Sequence, residues 1–140
     1  QIIGVKDPCF DDHPLFRAIK ILGDRFVWIG NKRHDPGVLH FRFQAGIDGF
    51  TAGFINFAPA YELELFEAAT ERNWDRMIEI QEQLAPLERL RSSYGEGLIK
   101  AALDLVGLTG GPVRPPRVDL SMEGKTALVE TLDTLGVEVK

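Results

Sequence analysis

A lysine ends the first apolar run of the chain, at a position where α/β proteins often hold a reactive amine. Residues 2–5 (IIGV) predict a short β-strand, and Lys6 follows them directly before Asp7-Pro8. Parallel sheets and barrels keep their reactive groups at the C-terminal ends of strands. A lysine attacks a carbonyl only as the free amine, which requires its pKa to fall from about 10.4 to about 7. Lys6 is therefore either a nucleophile toward a carbonyl or a lysine that reaches into solvent from the end of a strand.

The histidines and the single cysteine predict neither a metal site nor a thiol nucleophile. A zinc site needs three or four converging ligands, and the one close pair, His34 and Asp35, lies in a predicted turn. We therefore expect no metal at His13, His34 or His40. Cys9 has no second thiol to pair with and no histidine base in register, so we expect it to be inert.

Small residues lie at the end of the second predicted strand and within the third. Gly30 and Asn31 close the second strand, and Thr51 and Gly53 lie on the third. Small residues at such positions allow backbone amides to approach a ligand, but they equally allow a helix to pack closely on the sheet. The pattern leaves both interpretations open.

Three strand–helix units must position these residues. The predicted strands are 2–5, 26–29 and 49–55, and the predicted helices that follow them are 11–22, 36–44 and 59–70. This alternation predicts an α/β protein with a parallel sheet and right-handed connections. Three strands leave two unpaired sheet edges, which natural proteins avoid. We therefore expect further strands that this chain, which begins at Gln1, does not contain.

The second half of the chain is predicted to be helical. The expected helices are 74–92, with Asn73 as N-cap and a kink at Pro86, then 96–106, and then 121–135, which Gly136 ends. We accordingly divide the chain into residues 1–72 and 73–140. Between the last two helices, Pro112–Arg117 fits the P-x-x-P-x-R pattern of SH3 ligands, although an ordered connector has the same composition.

The composition predicts an ordinary globular protein without nucleic-acid or membrane partners. The 140 residues are 44% hydrophobic and 26% charged, enough to bury a core without a disulfide or a metal. The net charge of -5 has the wrong sign for binding nucleic acid or anionic lipid. The sequence contains no pattern typical of a membrane span or signal peptide, so we expect a cytoplasmic protein.

Three motifs occur in an order that is characteristic of one family. They are Ile3-Gly4-Val5-Lys6-Asp7, then Gly46-x-x-Gly49 leading to Asn56-x-x-Pro59, and finally Lys100-Ala101-Ala102-Leu103 followed by Gly107-Leu108 and Gly110-Gly111-Pro112-Val113-Arg114-Pro115-Pro116. Together they span nearly the whole chain. In this order they resemble the C-terminal half of the dihydrodipicolinate synthase and N-acetylneuraminate lyase family.

The resemblance implies a fold and a chemistry. Members are (β/α)8 barrels in which a strand-six lysine, here Lys6, forms a Schiff base with pyruvate or another 2-oxo acid. The chain would then hold strands six to eight and a C-terminal helical appendage. The absent half would bind the substrate carboxylate and would supply a tyrosine that relays protons. Thr51 would line the pyruvate pocket, Gly53 the pocket for the rest of the substrate, and Gly30 and Asn31 the site of its polar tail. The resemblance further implies no cofactor, a small 2-oxo acid as substrate, and a homodimer or homotetramer.

The chain departs from the family after the second strand. Gly30-Asn31-Lys32-Arg33-His34 stands where both named enzymes often have an acidic pair. Lys32 and Arg33 could meet a second carboxylate or a row of sugar hydroxyls, or form a solvated basic turn. The stretch Phe50 to Pro59, with Asn56-Phe57-Ala58-Pro59, is more similar to the branch that dehydrates 2-keto-3-deoxy sugar acids. The prediction is therefore a Schiff-base lyase that acts on a 2-oxo acid, by aldol cleavage or by dehydration, with Lys6 as the nucleophile. The alternatives are a dihydrodipicolinate synthase proper and a non-catalytic module that presents Pro112–Arg117 to a partner.

Overall fold

A computed structural model describes residues 1–8, 11–33 and 35–140. Cys9 and His34, about which the sequence makes predictions, lie outside the described residues. The elements in chain order are β1 (Gly4–Lys6), α1 (Asp12–Leu22), β2 (Val27–Asn31), α2 (Leu39–Ala45), β3 (Gly49–Thr51), α3 (Pro59–Thr70), α4 (Trp74–Tyr94), α5 (Glu96–Leu105) and α6 (Met122–Thr134). Short 3-10 helices at Gly23–Arg25 and Phe54–Asn56 precede β2 and follow β3.

The three strands form a parallel sheet in the order β1-β2-β3. The α/β class and the parallel sheet predicted from the sequence are therefore confirmed. Successive side chains of a strand point to opposite faces, and paired residues share a face. Val5, Trp28 and Phe50 accordingly lie on one face, where they join the core formed with the helices. The other face is not covered by these helices.

Two apolar clusters hold the helices together. The first joins the sheet to α1–α3 and to the first half of α4, through Leu15, Trp28, Leu39, Leu65, Met77 and Ile80. The second joins the end of α4 to α5 and α6, through Phe54, Leu87, Leu98, Leu128 and Leu132. Helix α4 contributes to both clusters, so the division of the chain at residue 72 stays a prediction.

Local capping signals locate the later helices as expected. The Asn73 side chain accepts a hydrogen bond from the Arg76 N–H at the start of α4, and Ser121 accepts one from Gly124 at the start of α6. Gly136, with φ of 65°, follows α6 in the left-handed conformation that favours glycine. Pro86 lies inside α4, which nevertheless continues to Tyr94.

Tertiary contacts determine the end of β3 and the start of α2, and both differ from the prediction. β3 ends at Thr51 rather than Ile55, since Phe54 turns into the second cluster and the Asn56 Nδ2 donates to the Gly53 carbonyl at 2.9 Å. α2 begins at Leu39 rather than Pro36, where the Leu39 N–H donates to the buried Gln81 Oε1 at 2.9 Å.

The third sequence motif holds the segment after α5 in place. The Lys100 Nζ donates to the Gly110 carbonyl at 2.5 Å, and the Asp104 Oδ1 accepts from the Gly110 N–H at 2.8 Å. Further on, the Arg117 N–H donates to the Arg114 carbonyl at 3.1 Å and closes a turn. A polyproline II helix has no internal hydrogen bonds, so this turn gives no support to the SH3-ligand alternative.

None of the helices in the described part of the chain is both long and apolar enough to cross a bilayer.

Candidate active site

The C-terminal ends of the strands bring Lys6, Asn31 and Thr51 to the face of the sheet that the helices leave open. Lys6 pairs with Ile29, and Asn31, two residues further along β2, pairs with Thr51, so the side chains share a face. Lys6 and Thr51 are exposed and Asn31 is half-buried. Neighbouring strands lie about 5 Å apart. Three of the five predicted site residues therefore lie on one surface.

The two predicted glycines have different surroundings. Gly30 belongs to the opposite face, where a Cβ atom would lie 2.9 Å from the Ile47 Cδ1, so its backbone packs closely against the segment after α2. Gly53 lies beyond the end of β3, where a Cβ atom would lie 3.4 Å from the Cζ of Arg91. The Arg91 guanidinium therefore packs beside Gly53, close to the end of the sheet.

A buried arginine fixes the end of β2. Arg42 of α2 donates to the Asn31 carbonyl, and its Nη2 lies 2.6 Å from the Asp12 Oδ1 at the start of α1. The Asn31 carbonyl is thereby held by Arg42 of α2, which is itself paired with α1, as well as by the strand ladder. The sequence did not indicate this role, because helical spacing alone does not distinguish a buried arginine from a solvated one.

Lys32 is buried, which contradicts the prediction that it belongs to a solvated basic turn. Its side chain is buried, forms an ion pair and hydrogen bond with the buried Glu62 of α3, and has its Nζ 5.0 Å from the Phe54 ring centre. Burial lowers the pKa of Lys32 to about 8, although the Glu62 carboxylate acts in the opposite direction. Arg33, the next residue, is exposed as predicted.

Glu88 and Arg91 of α4 complete the charges near the end of β2. Glu88 is 5% exposed, and burial raises the pKa of its carboxyl group, while the charge of Arg91 is the largest influence that lowers this pKa. The Arg91 guanidinium lies 5.8 Å from the Phe54 ring centre and 3.8 Å from a Glu96 carboxylate oxygen. Neither residue was predicted as functional. The available signal was that Glu88 occupies the same helix face as Gln81 and Leu84, where a charge is unusual.

These groups surround a small cavity at the end of β2. It has a volume of about 160 Å³ and is lined by Asn31, Lys32, Arg33, Glu88, Arg91 and Ser92. Its mixture of guanidinium groups, an amide and a carboxyl group suits a polar ligand with both hydrogen-bond donors and a negative charge. Asn31 connects this cavity to the surface that holds Lys6.

A second cavity, of about 480 Å³, lies between α5, the 110–112 segment and α6. Lys100, Asp104 and Asp119 line it, but the first two bond to Gly110 and the Asp119 Oδ1 accepts from the Val113 N–H. It contains none of the predicted site residues. Across the described ranges, no cluster of three or more His, Cys, Asp and Glu side chains could hold a metal ion.

Comparison with known proteins agrees with the geometry of the strand ends. Residues 1–135 match the model of the dihydrodipicolinate synthetase family. A Rhizobium rhizogenes protein named "probable 5-dehydro-4-deoxyglucarate dehydratase" is 28% identical over 96% of the chain, which spans 46% of that relative. The crystal structure of dihydrodipicolinate synthase from Bacillus clausii is 28% identical, with a TM-score of 0.82 over 96% of this chain and 47% of the other.

N-acetylneuraminate lyase from Fusobacterium nucleatum is similar to the same extent. It is 26% identical, with a TM-score of 0.79 over 94% of this chain and 44% of its own. The chain thus spans about half the length of the relatives it matches. The match of the family model over nearly every residue, together with these structures, shows that the chain belongs to the dihydrodipicolinate synthetase family.

Proposed function

We propose that the protein is a lyase that forms a Schiff base with a 2-oxo acid, with Lys6 as the nucleophile. The three strands would be strands six to eight of a (β/α)8 barrel, and the helices from α4 onward its C-terminal appendage. The observation that carries the proposal is the position of Lys6 at the C-terminal end of a parallel strand, on the open face that also holds Asn31 and Thr51. The family match over residues 1–135 supports it.

The reaction would begin with attack of the Lys6 amine on the ketone carbon of the substrate. Loss of one water from the carbinolamine forms an iminium, which withdraws electrons from the adjacent carbon. Removal of a proton from that carbon gives an enamine, and the enamine electrons expel hydroxide from the next carbon. Hydrolysis of the resulting imine consumes one water and releases the amine. The net change is the loss of one water from the substrate.

We further propose that the substrate is a 2-oxo-3-deoxy sugar acid with a second carboxylate. The support is the name of the Rhizobium rhizogenes relative, which describes the dehydration of such a diacid, and the 28% identity to it. Thr51 would face the reacting end of the substrate, while Asn31 and Gly53 would line its path toward the other end. The enzyme would need no cofactor and would work in the cytoplasm as a homo-oligomer, either a dimer or a tetramer.

Covalent trapping tests the proposal. The natively expressed protein is incubated with pyruvate, and separately with a 2-oxo-3-deoxy hexarate, then reduced with borohydride and weighed as the intact protein. We expect one reduced adduct, which peptide mapping assigns to Lys6 and which Lys6→Ala abolishes. Lys20→Ala, which removes an exposed lysine of α1, is the matched control and should keep the adduct.

An adduct that survives in Lys6→Ala would overturn the assignment of the nucleophile, and no adduct on the wild-type protein would overturn the Schiff-base chemistry. The products separate the two kinds of lyase. Release of water from the sugar acid supports the dehydratase. Condensation of the pyruvate adduct with an aldehyde, without dehydration of the sugar acid, would identify an aldolase such as dihydrodipicolinate synthase.

A further inference from the structure

The cavity at the end of β2 has polar groups that the imine chemistry at Lys6 does not require. Asn31 forms its wall toward the sheet, and Glu88, Arg91 and Ser92 form its wall toward α4. Its volume of about 160 Å³ admits a group of several heavy atoms, since one water occupies about 30 Å³ of the liquid. The cavity is therefore large enough for one end of a small substrate.

Glu88 is the first indication of a ligand. Its side chain is 5% exposed, and its Oε2 has no hydrogen-bond partner among the described residues. A buried carboxyl oxygen without a partner is unfavourable, because it has lost water and gained no donor in exchange. A ligand hydroxyl that enters the cavity would supply that donor.

Arg91 is the second indication. Its guanidinium packs beside Gly53 and over the Phe54 ring, and its contact with Glu96 is long, at 3.8 Å. A guanidinium binds a carboxylate through two parallel N–H···O bonds, a geometry that lysine does not offer. Arg33 lines the same cavity and adds positive charge. This excess of cations disfavours a metal ion and favours an anion.

The distance to Lys6 suits a short substrate. The register puts Asn31 one strand away from Lys6 and two residues further along, so their Cα atoms lie about 8 Å apart. A six-carbon chain whose ketone is bound by the lysine amine would extend toward this cavity with its last carbons.

We propose that Glu88 and Arg91 of α4 bind the far end of the substrate, a carboxylate with a hydroxyl on the adjacent carbon. Arg91 binds the carboxylate and Glu88 bonds to the hydroxyl. This assignment rests on the proposed function and names the substrate feature that the site selects, a 2-hydroxycarboxylate opposite the ketone. The C-terminal helices thereby take part in specificity.

Binding of two diacids without a ketone tests the assignment independently of the imine. D-glucarate carries hydroxyls next to both carboxylates, whereas adipate has the same six-carbon diacid chain without hydroxyls. Their affinities for the natively expressed protein are measured calorimetrically for the wild type, Arg91→Gln and Glu88→Met. The matched control is Arg89→Gln, two residues away on α4, where the side chain is 58% exposed and pairs with Asp35 at the surface.

We expect Arg91→Gln to weaken the binding of both diacids by about 10- to 100-fold, the range for a hydrogen-bonded charge. Glu88→Met should weaken D-glucarate binding by about tenfold and change adipate binding much less. Arg89→Gln should change neither. Circular dichroism of each variant checks that it is folded.

The assignment is overturned if Arg91→Gln affects D-glucarate binding no more than Arg89→Gln does, or if the wild type does not bind D-glucarate. Borohydride trapping of pyruvate on the wild-type protein is run in parallel and tests separately whether the protein forms an imine. An adduct without D-glucarate binding overturns this assignment alone. D-glucarate binding that depends on Arg91, without a pyruvate adduct, overturns the Schiff-base proposal and leaves a diacid site.

Discussion

Lys6 and Lys32 lie near the ends of adjacent strands and have opposite surroundings. Lys6 is exposed on the open face of the sheet, whereas Lys32 is 3% exposed and is enclosed by Glu62 and the rings of Phe50 and Phe54. Residue type alone therefore does not identify the nucleophile. The two lysines are distinguished by the face of the sheet to which they belong. Lys6 shares a face with Asn31 and Thr51, and Lys32 does not.

The lowered pKa of Lys32 predicts a pH-dependent stability. Its pKa is about 8 in the folded protein and 10.5 in the unfolded chain, so the unfolded state binds more protons between these values. The contribution of Lys32 to the free energy of unfolding should thus rise as the pH increases from 8 to 10.5. The groups that influence this titration are Glu62, Glu88 and Arg91. Urea unfolding of the wild type and Lys32→Met across this pH range measures the rise as a growing difference between the two.

Lys20→Met is the control for that experiment, because Lys20 is exposed on α1 and should give a difference that does not change with pH. If Lys32→Met is too unstable to measure, Lys32→Met combined with Glu62→Gln removes the buried carboxylate charge together with the ammonium. A pH-independent difference between wild type and variant would show that Lys32 titrates normally.

Among the elements, the sequence could predict the helix ends that are determined by a nearby capping residue. Asn73, Ser121 and Gly136 act within a turn of their own helices, and these termini were predicted correctly. The end of β3 depends on Phe54, which joins a cluster formed by α4–α6. The burial of Lys32 depends on Glu62, thirty residues later. Such partners are not recognisable from periodicity, so the contributions of Glu88 and Arg91 to the site were missed.

The segment after α5 makes a testable steric prediction. A Cβ atom at Gly110 would overlap the Lys100 carbonyl oxygen, so Gly110→Ala must displace the backbone and disturb the hydrogen bonds that Gly110 makes with Lys100 and Asp104. We expect a loss of about 2 kcal/mol or more in the free energy of unfolding. Thermal or urea unfolding measures it.

Gly136→Ala serves as the comparison, because Gly136 has a positive φ but open space around its Cβ position. That change should cost about 1 kcal/mol through backbone conformation alone. Equal losses for Gly110→Ala and Gly136→Ala would mean that the close approach at Gly110 is relieved without cost.

At the scale of the whole molecule, exposed apolar side chains on and beside the open sheet face favour association with another molecule. Val27, on the same face as Lys6, is 51% exposed, and Ile2 and Ile3 beside β1 are 74% and 75% exposed. The 140 residues expressed by themselves should associate through this face. Light scattering should show masses above 15.6 kDa that rise with concentration.

Val27→Thr should reduce that association, because it replaces an exposed methyl with a hydroxyl on the open face. The matched control is Val118→Thr, which changes an even more exposed valine in the segment before α6, away from the sheet. A chain that is monomeric at all concentrations, or equal effects of the two substitutions, would rule out the sheet face as the site of association.

The alternating side-chain directions in β1 also disfavour pairing of β1 with β2 in the wrong register. Sliding Gly4–Lys6 by a single position along β2 would exchange the directions of Val5 and Lys6. The slipped form would drive an ammonium group into the apolar core beside Trp28 and expose a valine, which is far less stable than the correct pairing. The residue proposed to do the chemistry therefore also disfavours the misaligned pairing of β1 with β2.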